Sequence, residues 1–353
     1  MSDCRESAIA KTESCGNGSS RMHSDVSKIL DKIHDWEEFD VFELASTTQG
    51  TPLRAVVEYE LEALGVIERL GLDRDKLTSF LKDLEEAYSN ENPYHSSTHA
   101  ADVVQTVATM VEMDDWSDGL EDWESLSLFI AAAGHDVGHK GVTNEYHDRV
   151  QTNWAREFGH HGSSVNEYAH AHITVSLMLE DRNDFMHGLD ERVRQRVIQN
   201  VRQLILETDI VSHKSVCKKF ADACKRGKAY AHIGEWPPED RLQALTGLLH
   251  FADISNPGRP WRLCRRWGIR IHEEACLQGD EEERMGLTRS VYCAREDENT
   301  GEKQVTFIKS VMQPFCEQVA VMAPHFTGMI MPHVKEALAE WARFHPRHDQ
   351  VST

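Results

Sequence analysis

Apolar residues recur at steps of three and four along most of the chain. Residues 53–70 place Val56, Val57, Leu61, Leu64, Val66 and Ile67 on one helical stripe, with Gly71 as a stop. Residues 74–88 repeat the pattern with Leu77, Phe80, Leu81 and Leu84. The same spacing predicts helices over 99–113, 122–133, 163–180, 190–206, 214–226, 239–255, 259–278, 304–323 and 326–343. Turn residues punctuate them: Asn90 to Pro93, Gly138 to Gly141, Trp236 to Pro238, and Asn256 to Gly258. Alternating runs rich in Val, Ile and Thr are scarce, and no long repeat is present, so an all-α multi-helix domain is expected rather than a sheet or a solenoid. Trp36, Phe39, Phe42 and Leu44 suit a loop or short helix laid on the core. Residues 1–30 read as a disordered tail or a fragment boundary, 31–345 as the folded domain, and 346–353 as a second tail. The acidic, glycine-bearing stretch 279–303 reads as a mobile loop.

Composition narrows the function. The 353 residues can form one large helical domain or two smaller ones. The formal charge of −21, from 38 basic and 59 acidic residues, argues against a nucleic acid polymer as partner, because such a surface needs a basic footprint. A small anionic substrate stays open, since bound metal reverses the local field of one pocket. The eight cysteines form no CxxC pair, which suits a reducing compartment. The longest nearly apolar stretch, Leu126 to Gly134, is too short to span a bilayer, and no basic segment near the N-terminus leads into an apolar one. A cytoplasmic protein is therefore expected.

Three clusters carry candidate chemistry. In Ala132-Ala-Gly-His-Asp-Val-Gly-His139, adjacent His135 and Asp136 can reach one ion, and His139 returns to the same face a turn later. Nitrogen with carboxylate oxygen suits Zn, Fe, Mn or Mg; a cap Asp beside a core His is the bland alternative. Tyr94-His-Ser-Ser-Thr-His-Ala-Ala-Asp-Val103 sets His95 and His99 one turn apart. Leu249-His-Phe-Ala-Asp-Ile-Ser-Asn-Pro257 puts Asp253 in an apolar helix, where a carboxylate is costly unless paired or metal-bound. Its bland alternative is an ion pair with Arg259 or Arg262. Together the clusters favour a metal-dependent hydrolase using His99, His135, Asp136 and Asp253.

The ordered set YHxxxHAADV, HDVGHxGxxN, LETDI, HFADISNP and QxxF resembles the catalytic domain of class I 3′,5′-cyclic nucleotide phosphodiesterases, from about Trp36 to about Trp341. The resemblance implies a deep pocket over two metals and hydrolysis of cyclic AMP, cyclic GMP or both to the 5′-monophosphate by a metal-bridging hydroxide. It gives His99, His135, Asp136 and Asp253 to a tighter metal, Zn2+, with Asp136 bridging to a second, Mg2+ or Mn2+. His139 is expected to orient waters of the second ion, and Glu167 and Thr208 to lie one layer out. His95 takes the general-acid position, a role that suits a group titrating near neutrality. Gln304 would hydrogen-bond a purine edge while Phe307 and Ile271 clamp its faces. Asn256 either faces the nucleotide or simply ends a helix before Pro257. The chain departs from the pattern at Gly138, where many relatives carry Asp, and at Ser96, where Asn is common. A homodimer is left open. Rival readings are a broader HD-type phosphohydrolase and an inactive cyclic nucleotide sensor. A zinc peptidase is set aside, because His272-Glu-Glu-Ala-Cys276 lacks the second His of HExxH.

Overall fold

The structure, a computed structural model, describes residues 17–230, 232–295 and 299–344. No β-strand forms among them, so the apolar stripes are buried by helix on helix. The first helices are α1 (Asn17–Leu30), α2 (Val41–Thr47), α3 (Pro52–Ala63), α4 (Val66–Leu70), α5 (Arg74–Glu86) and α6 (Ser97–Met113). There follow α7 (Asp122–Gly134), α8 (Asn144–Val150), α9 (Asn153–Phe158), α10 (Val165–Leu179), α11 (Glu191–Leu206) and α12 (His213–Gly227). The last five are α13 (Pro238–Ile254), α14 (Trp261–Arg284), α15 (Thr300–Phe307), α16 (Gln313–Val319) and α17 (Pro324–Trp341). The apolar run Leu126–Gly134 is the buried heart of α7, against which α6 and α11 pack. α13 packs on α6 and α12, which carries the Asp253 segment to the same centre. No helix of the described residues is long and apolar enough to cross a membrane.

Several boundaries differ from the sequence pattern, each for a local reason. The predicted 53–70 helix breaks at Gly65, whose φ of 69° is left-handed and splits α3 from α4. The predicted 304–323 helix is continuous in path, but its middle widens into a π turn over Ile308–Met312 just before Pro314. Proline removes one amide and collides with the carbonyl four residues back, and a π turn relieves that collision. The supposed loop 279–303 begins too early: α14 runs to Arg284, and Gly279 lies inside it against the Cys293 backbone. Residues 17–30, assigned to the tail, form α1, which buries Leu30 and packs Val26 and Ile29 on the core. Residues 1–16 and 346–353, the rest of the expected tails, lie outside the described residues. The short helices α8 and α9 were not foreseen.

Candidate active site

Helix ends assemble the site. His99 stands in the first turn of α6, His135 caps the C-terminal end of α7 with Asp136 next to it, and Asp253 lies in the last turn of α13. The C-terminal ends of α7 and α13 carry partial negative charge, which favours a cation where they meet. Ligand-type atoms of the four residues all lie within 4.8 Å of one another. His99 Nε2 is 2.9 Å from Asp253 Oδ1 and 3.7 Å from Asp136 Oδ2. His135 Nε2 is 3.1 Å from Asp136 Oδ2 and 3.3 Å from Asp253 Oδ1.

These separations fit a metal. Ligands held ~2.0–2.2 Å from one ion stand roughly 3.0–3.5 Å from each other. His135 Nδ1 donates to the Ala132 carbonyl at 2.9 Å, which leaves the Nε2 lone pair facing the cluster. His135 Nε2 and Asp136 Oδ2 are buried with no hydrogen-bond partner among the described residues, as atoms meant for an ion would be. Burial disfavours charge on His135, but Asp136 and Asp253 favour positive charge at the Nε2 position strongly enough to outweigh it and push the imidazole well above its ordinary range. The same field favours a cation there. Burial would likewise raise Asp136, yet His135, His95 and His99 hold its carboxyl far below the usual carboxylate range. The ion-pair alternative for Asp253 fails: Arg259 pairs with buried Asp102 at 2.6 Å, and Arg262 donates to the Glu37 carbonyl at 2.7 Å.

Around the cluster lies a shell of buried polar groups. His170 Nδ1 donates to the Val137 carbonyl at 2.7 Å, and its Nε2 stands 3.9 Å from Asp136 Oδ1. Burial pulls His170 down to about 4, so the ring is neutral at physiological pH. His139 Nδ1 accepts the Gly141 amide at 2.9 Å, which leaves an Nε2–H to donate. The ring of His139 stacks on His95 at 3.9 Å. Glu167 accepts from Asn144 Nδ2 at 2.9 Å, and burial together with Asp209 raises it to about 7. The Thr208 hydroxyl donates to the Ile205 carbonyl at 2.7 Å. Gly138 has a φ of 75°, and a Cβ there would come within 2.8 Å of Ile173 Cδ1, so glycine relieves both constraints.

His95 is held by a residue that the motifs did not flag. Glu274 on α14 accepts the Tyr94 amide at 2.9 Å and the His95 amide at 3.0 Å, and its other oxygen bonds His95 Nδ1. Burial would keep His95 neutral, but Glu274 and Asp136 overcome it and raise the ring to about 9. Ser96 plays no part in this grip: its hydroxyl donates to the Tyr94 carbonyl at 3.2 Å. Ligand-type atoms of His95, His139 and Glu274 also gather within 4.8 Å. The Nδ1 atoms of His95 and His139 are already spent on Glu274 and Gly141, so hydrogen bonding accounts for that cluster.

A cavity of about 540 Å³ opens beside these groups and is lined by Tyr94, Asn256, Ile271, Tyr292, Gln304 and Phe307, among others. All four sequence-predicted base residues thus meet in one cavity. No hydrogen bond to the Gln304 carboxamide is found among the described residues. Gly268 makes room for it: a Cβ there would lie 3.3 Å from Gln304 Cδ and 2.4 Å from Trp341 Cζ2. Asn256 is spoken for on both sides. The Tyr94 hydroxyl donates to its Oδ1 at 2.6 Å, and its Nδ2 donates to Asp102 Oδ2 at 3.1 Å. Besides Glu274, the residues assigned roles from the sequence did not include Tyr94, whose ring also packs 4.5 Å from that of His99, or Asp209. Tyr94 and Asp209 sit inside quoted motifs, and that was their only available signal.

Comparison with known proteins agrees with this geometry. The profile of the family described as 3′5′-cyclic nucleotide phosphodiesterase matches residues 94–334. The chain is 31% identical over 295 residues to 3′,5′-cyclic-AMP phosphodiesterase 4C of Mus musculus, covering 83% of this chain and 42% of that protein. It is 29% identical over 316 residues to the probable 3′,5′-cyclic-AMP phosphodiesterase pde-4 of Caenorhabditis elegans, covering 88% and 46%. The chain therefore spans about half the length of these relatives. Among solved structures, the phosphodiesterase domain of the RhoPDE fusion protein from Salpingoeca rosetta superposes with a TM-score of 0.76 at 28% identity, covering 85% of this chain and 92% of that one. The chain belongs to the 3′5′-cyclic nucleotide phosphodiesterase family.

Proposed function

We propose that the chain hydrolyses 3′,5′-cyclic purine nucleotides to 5′-monophosphates, ending cyclic nucleotide signalling. One observation carries the reading: the segment Tyr94–His99 joins all the parts. His99 belongs to the four-residue cluster, His95 is gripped by Glu274, and Tyr94 lines the cavity of Gln304 and Phe307. His99, His135, Asp136 and Asp253 would hold Zn2+, and Asp136 would also face Mg2+ or Mn2+. When bound, the metals supply a nucleophile for phosphorus and absorb charge on the phosphoryl oxygens. His139, Glu167 and Thr208 would orient the waters of the second site. His95, with Nδ1 engaged by Glu274, would present Nε2–H to the departing 3′ oxygen. The six described cysteines are unpaired thiols, which supports a reducing, cytoplasmic setting.

The base end reads either purine. Adenine and guanine present opposite donor and acceptor orders on the edge that a glutamine amide meets, and no bond from the described residues to the Gln304 amide selects one orientation. Side-by-side kinetics are expected to give kcat/KM values for cyclic AMP and cyclic GMP within about tenfold, the discrimination left to a pocket that locks neither order. Failure to cleave either nucleotide overturns the proposal.

Glu274→Gln tests the acid. Glu274 raises the His95 ring toward about 9, so the protonated acid persists above neutral pH and the rate is expected to fall as that proton is lost. Without the carboxylate the ring sheds its proton earlier, and the alkaline limb of the kcat/KM profile is expected to move down by ~1 unit or more. An unmoved limb would contradict the role of Glu274.

A further inference from the structure

α14 presents a polar stripe at four-residue steps: Arg270, Glu274, Gln278 and Glu282. Three of its members are buried, and Glu282 is 0% exposed. Each hydrogen-bonds a loop. Arg270 donates to the Pro93 carbonyl at 2.7 Å, Glu274 grips Tyr94 and His95, and Gln278 accepts the Thr143 amide at 2.9 Å. Glu282 serves the loop between α14 and α15. Its carboxylate accepts the Ser290 amide at 2.5 Å and the Ser290 hydroxyl at 2.6 Å. Gln278 Nε2 donates to the same carboxylate at 3.1 Å, and Arg149 stands 3.6 Å away. A carboxylate with no exposure is tolerated only with such a full set of partners.

What the grip holds in place is Tyr292, two residues on. Tyr292 has a φ of 70°, a left-handed conformation that a bulky side chain takes only when its surroundings impose it. Ser290 is fixed on one side of it, and on the other Cys293 is packed into the gap over Gly279. Tyr292 is 62% exposed, so burial does not explain its placement, yet it lines the cavity that holds Gln304 and Phe307. Lys303, the residue before Gln304, donates to the Tyr292 carbonyl at 3.2 Å and lies 5.3 Å from the ring centre.

We propose that Glu282 and Ser290 form a latch of positioning residues that holds Tyr292 as a wall of the nucleotide cavity. The proposal rests on the function given above. An amphipathic ring at the mouth adds contact with bound substrate but takes no part in bond cleavage, so the latch acts on KM and not on kcat.

Steady-state kinetics with cyclic AMP test it. Tyr292→Ala is expected to raise KM about tenfold and to change kcat less than about twofold. Ser290→Ala, a partly exposed position that avoids burying an unpaired charge, is expected to raise KM about fivefold; Ser290→Thr, which keeps the hydroxyl, restores it. Glu282→Gln is expected to match Ser290→Ala. The Ser290→Ala, Tyr292→Ala double variant should show no higher KM than Tyr292→Ala alone, because the latch works through the ring. An active wild type with variants of unchanged KM, or with additive effects in the double variant, overturns the latch alone. A wild type that cleaves no cyclic nucleotide overturns the function and the latch with it.

Discussion

Asp136→Asn is expected to lower kcat by more than about a thousandfold while the helical fold is kept, because it removes the anionic ligand facing both proposed ions. The amide is close to the carboxylate in shape, so packing survives, but it brings no charge. Asp136 Oδ2 lies 3.1 Å from His135 Nε2 and 3.7 Å from His99 Nε2, and among the described residues it has no hydrogen-bond partner. Elemental analysis should show the bound metal falling with the rate. Near-normal turnover with normal metal content would remove Asp136 from the centre.

His95→Gln should be the second-largest loss, about 10²–10⁴ in kcat, the usual worth of a positioned general acid. The proposed metal ligands are untouched, so metal content is expected to stay at the wild-type level. That separates the two variants: one loses the ions and the rate, the other the rate alone. A substrate whose leaving group departs without a proton should recover much of the His95→Gln loss and none of the Asp136→Asn loss. Equal loss on both substrates would deny His95 the proton.

The sequence was most legible where chemistry and periodicity agree. His99, His135, Asp136 and Asp253 are metal-competent residues in apolar helical settings, so each was visible locally, and their burial together follows from the helices that carry them. α6, α7, α11 and α13 have the ends that their stripes and turn residues predict within a few residues. Glu274 was hidden because its partner lies 179 residues away, and locally it is one of two adjacent glutamates. Glu282 was hidden by its neighbours, since Asp280 to Glu283 look like an acidic surface loop. α9 buries no side chain, so it leaves no apolar stripe to read. The break at Gly65 was absorbed into a continuous pattern, because the apolar spacing runs on across a glycine whose φ is left-handed. Local patterns report which residue types are present; which loop a buried carboxylate will hold is a property of the assembled fold.

The central claim is that metal held by His99, His135, Asp136 and Asp253 drives cleavage of a cyclic nucleotide. It is tested most directly by following cyclic AMP turnover before exhaustive chelation, after it, and after divalent metal is restored. The account predicts conversion to 5′-AMP, loss to background in chelator, and recovery when zinc is returned with magnesium or manganese. Turnover undiminished in fully chelated protein would contradict it.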